Sequence, residues 1–319
     1  MNFDTDEVLA AAIHWRKASS TELAPAPEGV TVTTISSPRA DRTYQDAQGV
    51  TIHYYVWEAA KPRAVVQIAH GLGEHAARYE WLAGQLNGAG YTVYADDHRG
   101  HGQTGLGQSG GDHSKLGKLG PGGMPATVES IRQLTGMIRT ENPDLPVILL
   151  GHSWGSMLAQ ILLNKYSAEY DAAILSGSVL RMFGHTNTGD LNATYKHVGT
   201  TGYEWLSRDP AVVAAAAADP LMFIANGMKL FGLVDSLRLL GKPAKNLEHD
   251  LPVLIQVGSE DVVGGVRSNE LLAQAYLTRS GLTDVELIVY TGAQHEIFNE
   301  TNKKEVVADT LAWLAERVA

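Results

Sequence analysis

Residues 147–160 read VILLGHSWGSMLAQ, and this stretch decides the fold. Four apolar residues run into Gly-x-Ser-x-Gly and then into helix-forming residues, which predicts a strand, a sharp turn and a helix. In such a turn the serine hydroxyl is exposed above the carboxyl end of a parallel strand. Glycines flank the serine because side chains there would collide with the neighbouring strand and helix. The stretch therefore predicts that Ser153 is a nucleophile.

The same five-residue pattern occurs a second time, in residues 107–111. Ser109 lies there in a glycine-rich polar stretch, with no apolar run before it and no helical pattern after it. That context is typical of a flexible loop. We therefore assign the nucleophile to Ser153 and interpret Ser109 as a loop serine.

A serine hydroxyl is a poor nucleophile at neutral pH, so it needs a base and a third group that fixes the tautomer of that base. The C-terminal third of the chain offers both. Residues 251–258 read as a buried strand followed by Glu260 and Asp261, and residues 285–290 read as another strand followed by His295. The order serine, acid, histidine, each just past the carboxyl end of a different strand, is typical of open α/β sheets.

Other assignments of the acid and the base are open at this point. Asp284 precedes its strand and would lie at the opposite edge of the sheet, so we exclude it. Glu260 is adjacent to Asp261, and position alone does not decide between them. A lone histidine in a loop is most simply a solvated side chain, but the position of His295 after the last strand favours a catalytic base.

The reaction also needs two N–H donors for the oxyanion that develops during attack. One is the backbone N–H of the residue after the nucleophile, here Trp154. The other is expected in the loop after an earlier strand, and residues 64–69 form such a strand before the loop 70–75. We predict that Leu72 supplies this donor. Both groups belong to the backbone, so the two side chains shape the pocket.

These motifs resemble those of α/β-hydrolases of the monoacylglycerol lipase and lysophospholipase group. The similarity extends over about residues 45–315. It implies a triad of Ser153, Asp261 and His295, which favours Asp261 over Glu260. The residues that carry it are HGLGEH at 70–75, DHRGHG at 97–102, GHSWG at 151–155, Asp261, QHE at 294–296, and SRDP at 207–210 and DPL at 219–221 within the expected lid.

The chain departs from the pattern of that group in two places. In that group the three residues after the nucleophile are usually Met-Gly-Gly, whereas in this chain they are Trp154, Gly155 and Ser156. Trp154 adds bulk beside the nucleophile and so bears on the acyl group that fits. In addition, about forty residues precede the shared region.

A dinucleotide-binding site is a rival reading. Residues 71–76 follow a strand and open a helix, and Asp96 comes some twenty residues later, which is close to the glycine fingerprint of that fold. Residues 100–105 fit the bare glycine pattern too, but we expect no helix after them. If the chain were an NAD-dependent oxidoreductase, the nucleophile turn, the acid and the histidine would occur together only by chance. This function therefore stays a remote alternative.

No metal or cofactor is expected. His98, His101 and His113 could suggest a metal site, but the chain has no cysteine and no helical His-x-x-x-His pair. We interpret them as part of a polar loop near the rim of the active site. Residues 97–99 can hydrogen-bond across the loop before the next helix, and its glycines permit the turns.

The composition fits a soluble enzyme. A chain of 319 residues with 44% hydrophobic residues can bury a large core. A formal charge of −10 disfavours nucleic acid or an anionic membrane as an electrostatic partner. The absence of cysteine excludes a disulfide framework. The first seven residues are acidic and the apolar run 8–13 is short, unlike a signal peptide, so we expect cytoplasmic residence.

The order of the elements predicts an α/β-hydrolase fold, a mostly parallel central sheet flanked by helices, with closely spaced early strands as an antiparallel entry. Residues 4–18 could form an amphipathic helix and 25–29 read as a linker. We divide the chain into an N-terminal extension and linker (1–29), a first part of the core (30–176), a helical lid (177–248) and a second part of the core (249–319). Strand-like runs fall at 30–36, 50–57, 64–69, 91–95, 147–150, 172–176, 252–257 and 285–290.

The lid carries two apolar runs, residues 221–224 and 230–234. They either pack onto the core, the usual fate of such residues, or line an acyl-chain tunnel. Asn226, Lys229 and Asp235 interrupt them, which excludes a transmembrane helix but leaves room for a transient contact with a lipid surface.

The sequence as a whole predicts a serine carboxylic ester hydrolase. Its substrate is expected to be a small-molecule acyl ester, such as a monoacylglycerol or lysophospholipid, cleaved through an acyl-enzyme. A short-chain or aryl carboxylesterase is the close alternative, and a non-catalytic binding protein is a remote one.

Overall fold

The computed structural model of the protein describes residues 14–18 and 38–318. One sheet of nine strands forms its centre. The strands are β1 (His14–Ala18), β2 (Ala40–Gln45), β3 (Thr51–Trp57), β4 (Ala64–Ala69), β5 (Tyr91–Asp96), β6 (Val147–His152), β7 (Ala172–Ser176), β8 (Val253–Gly258) and β9 (Val285–Tyr290).

The strand order across the sheet is β1-β9-β8-β7-β6-β4-β5-β3-β2. β3 runs antiparallel to both β2 and β5, and every other pair is parallel. The closely spaced early strands thus form the predicted antiparallel entry. The predicted mostly parallel sheet is confirmed, and the loops after β4, β6, β8 and β9 meet at one edge of it.

The described part of the chain contains eight α-helices. They are α1 (Glu80–Gly88), α2 (Gly102–Ser109), α3 (Gly123–Glu141), α4 (Trp154–Tyr166), α5 (Pro210–Ala218), α6 (Gly227–Arg238), α7 (Gly265–Ala275) and α8 (Lys303–Arg317). Of these, α5 and α6 lie between β7 and β8 in the sequence. A backbone kink at Gly232 divides α6.

The core lies on both faces of the sheet. Every residue of β4, β5, β6, β7 and β8 is buried. Strands covered on both faces are rich in apolar residues, which is why the sequence reveals them. Two hydrophobic clusters result, one around α3, α4 and α7 and the other around α1 and α8. This packing makes the central strands a rigid support for the loops at their carboxyl ends.

Two strands differ from the sequence-based expectation. Residues 14–18 are expected to be helical, but they form β1 and pair in parallel with β9. The edge of β9 offers main-chain hydrogen-bond partners, and such tertiary pairing outweighs the local helix propensity of these residues. Residues 40–45 form β2, a strand whose side chains alternate between exposed and half-buried, so no apolar run marked it. The expected elements at 4–13, 25–29 and 30–36 lie outside the described residues.

The glycine-rich stretch around Ser109 also differs from expectation, since residues 102–109 form helix α2 rather than a flexible loop. Packing explains the helix despite its composition. A β-carbon at Gly105 would lie 2.5 Å from the carbonyl carbon of Gly100, so only glycine allows this close approach. Ser109 ends the helix and donates to the carbonyl of Leu106 at 3.1 Å.

Candidate active site

The turn between β6 and α4 holds Ser153 in a strained conformation. Its φ of 52° and ψ of −119° are unusual for a residue with a side chain. A β-carbon at Gly155 would overlap the carbonyl oxygens of Ala69 and His70, and one at Gly151 would lie 2.7 Å from the carbonyl oxygen of Gly155. The glycines therefore let the turn pass against β4 and α4, as the sequence pattern predicts.

His295 and Asp261 meet through a hydrogen bond. The distance between His295 Nδ1 and Asp261 Oδ2 is 3.0 Å, and both side chains are buried. Asp261 Oδ1 accepts the N–H of Val263 at 2.7 Å, which fixes the carboxylate. Because a carboxylate only accepts, Nδ1 of His295 carries the proton and Nε2 is left as an acceptor. In the described part of the chain, that buried Nε2 has no hydrogen-bond partner.

The electrostatics of this pair favour an ionised acid beside a basic histidine. Burial lowers the pKa of His295, but the charge and hydrogen bond of Asp261 outweigh it, so the pKa lies above the ordinary 6.5. Burial raises the pKa of Asp261, but His295 and the N–H of Val263 outweigh it, so the pKa lies below the ordinary value. The arrangement stabilises an imidazolium if one forms.

Ser153 and His295 converge on the end of β7. The N–H of Ser153 donates to the carbonyl of Ser176 at 2.9 Å. The next residue, Gly177, lies against the ring of His295, since a β-carbon there would be 3.0 Å from Cε1 of that ring. The rings of Trp205 and His152 flank His295 at centroid distances of 4.9 and 4.8 Å. The structure thus brings the predicted nucleophile, base and acid to one edge of the sheet.

The alternative residues lie elsewhere. Glu260 is exposed, and its carboxylate accepts from Ser259 at 3.2 Å. Asp284 forms an ion pair with Arg317 at 2.7 Å, before β9 begins. Neither contacts His295 in the described part of the chain.

The two predicted oxyanion donors flank Ser153. Trp154 begins α4, so its N–H has no partner within the helix. Leu72 follows Gly71, where a β-carbon would lie 3.2 Å from the Cβ of Ser153. His70 Nδ1 lies 2.7 Å from the carbonyl oxygen of Gly71, and its Nε2 accepts the N–H of His98 at 2.9 Å. Nδ1 is therefore protonated and holds the Gly71–Leu72 peptide, which fixes the direction of the Leu72 N–H.

A mostly buried ion-pair bridge joins the loop after β4 to the loop that carries His295. Arg78 lies 2.6 Å from Glu74 and 2.6 Å from Glu296, and Glu74 also accepts the N–H of Gly71 at 2.6 Å. Burial raises the pKa of Glu296, but Arg78 outweighs it and holds the pKa at about 2. Sequence reasoning assigned this bridge no role. Two signals for it were present: the spacing of Glu74 and Arg78 by four residues, and the position of Glu74 and Glu296 within the motifs HGLGEH and QHE.

The histidines after β5 occupy the interior, not the rim. The side chains of His98 and His101 are fully buried, and burial lowers the pKa of His101 to about 3. Asp96, the acid of the rival dinucleotide site, is also fully buried and lies 2.8 Å from His98 Nδ1. It is thus turned inward, away from any ribose. His113 is exposed, so the predicted polar loop at the rim is wrong for His98 and His101.

Residues 177–248, which we call the insertion, lie over the loops that carry the site. Phe223 donates its N–H to the carbonyl of Gly73 at 3.1 Å, and a side chain at Gly73 would overlap the Phe223 carbonyl. The ring of Phe231 stacks on Trp154 with a centroid distance of 5.4 Å. The ring of Phe223 lies 5.3 Å from that of His101. Both apolar runs therefore contact the immediate surroundings of Ser153.

The two apolar runs are only partly packed. Phe223 and Phe231 are half-buried, whereas Leu233 and Val234 are each 63% exposed. Among the residues that the structure describes, all the large apolar side chains that are exposed lie within the insertion: Phe183, Val198, Ile224, Met228, Leu233, Val234 and Leu237. A concentration of exposed apolar side chains in one segment is typical of an interaction surface. No helix in the described ranges is long and apolar enough to cross a membrane.

Comparisons with known proteins agree with this geometry. A sequence profile of the family described as serine aminopeptidase, S33, matches residues 60–302. A monoacylglycerol lipase of Mycolicibacterium smegmatis is 35% identical over 297 residues, which cover 89% of this chain and all of that protein.

Two solved structures are similar as well. A thermostable carboxyl esterase from Bacillus coagulans in complex with glycerol has a TM-score of 0.74 at 25% identity, covering 89% of this chain and all of that one. A monoacylglycerol lipase from Paleococcus ferrophilus has a TM-score of 0.63 at 25% identity, covering 83% of this chain and 99% of that one. The chain therefore belongs to the α/β-hydrolases of the monoacylglycerol lipase group and is an ester-hydrolysing enzyme.

Proposed function

We propose that this chain hydrolyses monoacylglycerols and related single-chain acyl esters, with Ser153 as nucleophile, His295 as base and Asp261 as the acid that orients it. One observation carries the proposal. The buried His295–Asp261 pair leaves Nε2 of His295 as an unpartnered acceptor on the same edge of the sheet as the strained Ser153 turn. A buried acceptor without a partner is costly, and a serine hydroxyl in this place would satisfy it.

The acylation step follows from this arrangement. Nε2 of His295 takes the hydroxyl proton while Oγ of Ser153 bonds to the ester carbonyl carbon, and the carbonyl oxygen becomes an oxyanion. The N–H groups of Leu72 and Trp154 bind that oxyanion. Collapse breaks the bond to the alcohol oxygen, which receives the proton from His295. With a monoacylglycerol the departing alcohol is glycerol, and the acyl group stays on Ser153.

Deacylation repeats these steps with water. His295 takes a proton from a water molecule as the water oxygen bonds to the acyl carbon. The second tetrahedral intermediate uses the same two N–H donors. Its collapse returns the proton to Oγ of Ser153 and releases the fatty acid. Asp261 stays ionised throughout and stabilises the imidazolium.

The insertion acts as a lid that selects the acyl chain. Phe231 and Phe223 are half-buried beside Trp154 and His101, so an acyl chain bound at Ser153 would run between the lid and the sheet edge. Burial of each methylene there stabilises the transition state of a longer ester. A short-chain carboxylesterase is the second candidate, because the stacked rings of Trp154 and Phe231 also fill space beside the nucleophile.

A chain-length series separates these two candidates. With soluble p-nitrophenyl esters, we expect kcat/KM to rise by up to about fourfold per added methylene from acetyl to octanoyl, equivalent to about 0.8 kcal/mol each. Phe231→Asp should lower kcat/KM for octanoyl esters while sparing acetyl esters. Leu233→Asp on the exposed face of α6 is the matched control and should spare both.

A flat or falling profile in a folded wild type would favour the small-ester hydrolase. Equal damage to acetyl and octanoyl esters in Phe231→Asp, together with a lower melting temperature, would mean that Phe231 only packs and does not contact the acyl chain. Parallel assays with monoacylglycerol and lysophospholipid then identify the preferred natural class.

The exposed apolar side chains of the insertion fit a transient contact with a lipid surface. Leu233 and Val234 are adjacent on α6, and Met228 and Leu237 are also exposed on this helix. Apolar side chains gain free energy when they enter the boundary of a lipid layer. The formal charge of −10 opposes binding to anionic lipid, so a neutral surface is the expected partner.

The double variant Leu233→Ser/Val234→Ser tests this contact. We expect it to lower the rate on monoacylglycerol held in phosphatidylcholine vesicles by severalfold and to leave the rate on soluble acetyl ester unchanged. Flotation of the wild type with the same vesicles should weaken in the variant. Equal rates of wild type and variant on vesicles would contradict the contact.

Residence in the cytoplasm stays a prediction, which cell fractionation tests.

A further inference from the structure

A chain of buried polar side chains runs from the first residues of the lid to the nucleophile turn. Its members are Arg181, Gln160, Ser178 and Ser156, and we call it the relay. Arg181 Nε donates to Gln160 Oε1 at 3.1 Å, and Gln160 Nε2 donates to Ser178 Oγ at 3.0 Å. Ser178 Oγ lies 2.9 Å from Ser156 Oγ, which lies 2.6 Å from the carbonyl oxygen of Ser153. All four side chains are buried.

The direction of each proton in the relay is fixed. A carbonyl only accepts, so the single hydroxyl proton of Ser156 points at the Ser153 carbonyl, and the hydroxyl of Ser178 donates to Ser156. The amide of Gln160 cannot be flipped, because its Nε2 also donates to the carbonyl of Val179 at 2.9 Å. Every donor in the relay therefore points toward Ser153, and bonds aligned in this way polarise one another.

The carbonyl at the end of the relay belongs to the peptide that joins Ser153 to Trp154. The same peptide unit carries the Trp154 N–H, one of the two proposed oxyanion donors. The helix N–H groups of Ser156 and Met157 also donate to this carbonyl, at 3.0 and 3.2 Å, so the hydroxyl of Ser156 is a third donor. Electron density drawn to the carbonyl oxygen makes the N–H of that peptide more acidic.

The head of the relay is a buried cation. In the described part of the chain, no carboxylate forms an ion pair with Arg181, whose Nη1 donates instead to the carbonyl of Leu239 at 2.7 Å. The field of a cation is weakly screened in a buried site. The backbone carbonyl of Arg181 accepts the N–H of Gly241 at 2.6 Å, so residues near the C-terminal end of the lid hold both the backbone and the side chain of Arg181.

We infer that the relay orients and polarises the Ser153–Trp154 peptide and so strengthens the Trp154 N–H as an oxyanion donor. Its members are positioning residues, which do not touch the substrate. Ser156 stands where the usual pattern of the nucleophile turn has glycine, and a glycine could not supply the last hydroxyl of the relay. The inference rests on the proposed function, in which Trp154 N–H binds the oxyanion.

Ser156→Ala tests the end of the relay. We expect kcat on a soluble octanoyl ester to fall by about tenfold, the loss of one net hydrogen bond in the transition state, while KM changes less than about twofold. The affinity for a trifluoromethyl ketone, which forms a tetrahedral adduct, should fall by the same factor as kcat. Ser109→Ala is the matched control, because Ser109 also donates to the carbonyl three residues before it.

A double-mutant cycle tests whether Arg181 acts through Ser156. Arg181→Met should lower kcat by about threefold to fivefold in the wild type, and the loss should vanish when Ser156 is already alanine, because the relay is broken there. If Arg181 only packs, the losses of kcat caused by Arg181→Met and by Ser156→Ala should multiply in the double variant. If Arg181→Met does not fold, Ser178→Ala takes its place in the cycle, because it breaks the relay by removing only one hydroxyl.

Wild-type kcat and ketone affinity in Ser156→Ala would overturn the inference, and so would multiplicative losses in the cycle. Both results would leave the proposed function intact, because active sites are counted in each variant by titration with an organophosphonate. Failure of the proposed function has a different signature, namely a wild type that neither hydrolyses the ester nor reacts with the phosphonate.

Discussion

Replacing Ser153 with alanine is expected to lower kcat on octanoyl ester or monoacylglycerol by about 10⁶, the loss measured when the nucleophile of another serine hydrolase is removed. The variant has no oxygen to carry the acyl group, so only binding and the oxyanion donors remain. Steady-state hydrolysis at high enzyme concentration measures the activity that remains. Ser109→Ala serves as the control, since it removes the other serine that fits the five-residue pattern and should retain full activity.

The fold should tolerate this change. The contact that we find for Ser153 with β7 involves the backbone N–H and not the hydroxyl. A melting temperature close to that of the wild type would accordingly accompany the loss of activity. Retention of wild-type turnover in Ser153→Ala would contradict the assignment of the nucleophile.

The second large effect is expected for Asp261→Asn, which should lower kcat by about 10⁴, as loss of tautomer control does in other triads. An asparagine amide can donate to Nδ1 and thereby leave the proton on Nε2, where it blocks acceptance from Ser153. Glu260→Gln is the matched control because Glu260 is adjacent but exposed. Near-normal activity in Asp261→Asn, together with loss of activity in Glu260→Gln, would assign the catalytic acid to Glu260 instead.

The pH profile gives a second readout of the same pair. Neutral His295 is the active form, and its pKa lies above 6.5 because Asp261 outweighs the effect of burial. In the wild type, kcat/KM should therefore rise with pH to a plateau, with a midpoint above the ordinary value for histidine. Removal of the carboxylate removes the cause that raises the pKa. In Asp261→Asn, the rate of phosphonylation should reach its half-maximum at a lower pH than in the wild type.

The parts of the fold that the sequence predicts are those with strong local patterns. β4, β6, β7 and β9 are mostly apolar runs, and they begin where the pattern predicts because every residue of β4, β6 and β7, and every residue of β9 except Glu286, is buried. The turn at Ser153 is predictable for a similar reason. Only glycines fit beside it, so its sequence is restricted by the backbone itself.

The sequence does not predict the elements whose stability comes from distant partners. β1 depends on the open edge of β9, which lies about 270 residues away in the chain. Helix α2 depends on a close approach to Gly100 that its propensities disfavour. In both cases tertiary contacts outweigh local preference, and these contacts cannot be inferred from one sequence.

The same distinction applies to the site. The motifs predict where Ser153, Asp261 and His295 lie because each follows a recognisable strand. The supporting contacts of Arg78 with Glu296 and of Arg181 with Gln160 join segments that are far apart in the chain. Sequence reasoning could assign no role to either arginine, although Arg181 is buried and only 11% of the Arg78 side chain is exposed, beside the loops that carry the proposed chemistry.

Covalent labelling of the wild type tests the central claim most directly. After reaction with a long-chain alkyl organophosphonate, intact-mass spectrometry should show a single adduct, and peptide mapping should place it on Ser153. Competition with monoacylglycerol should slow the labelling. An adduct on another residue, or full ester turnover in a protein that forms no adduct, would contradict the account.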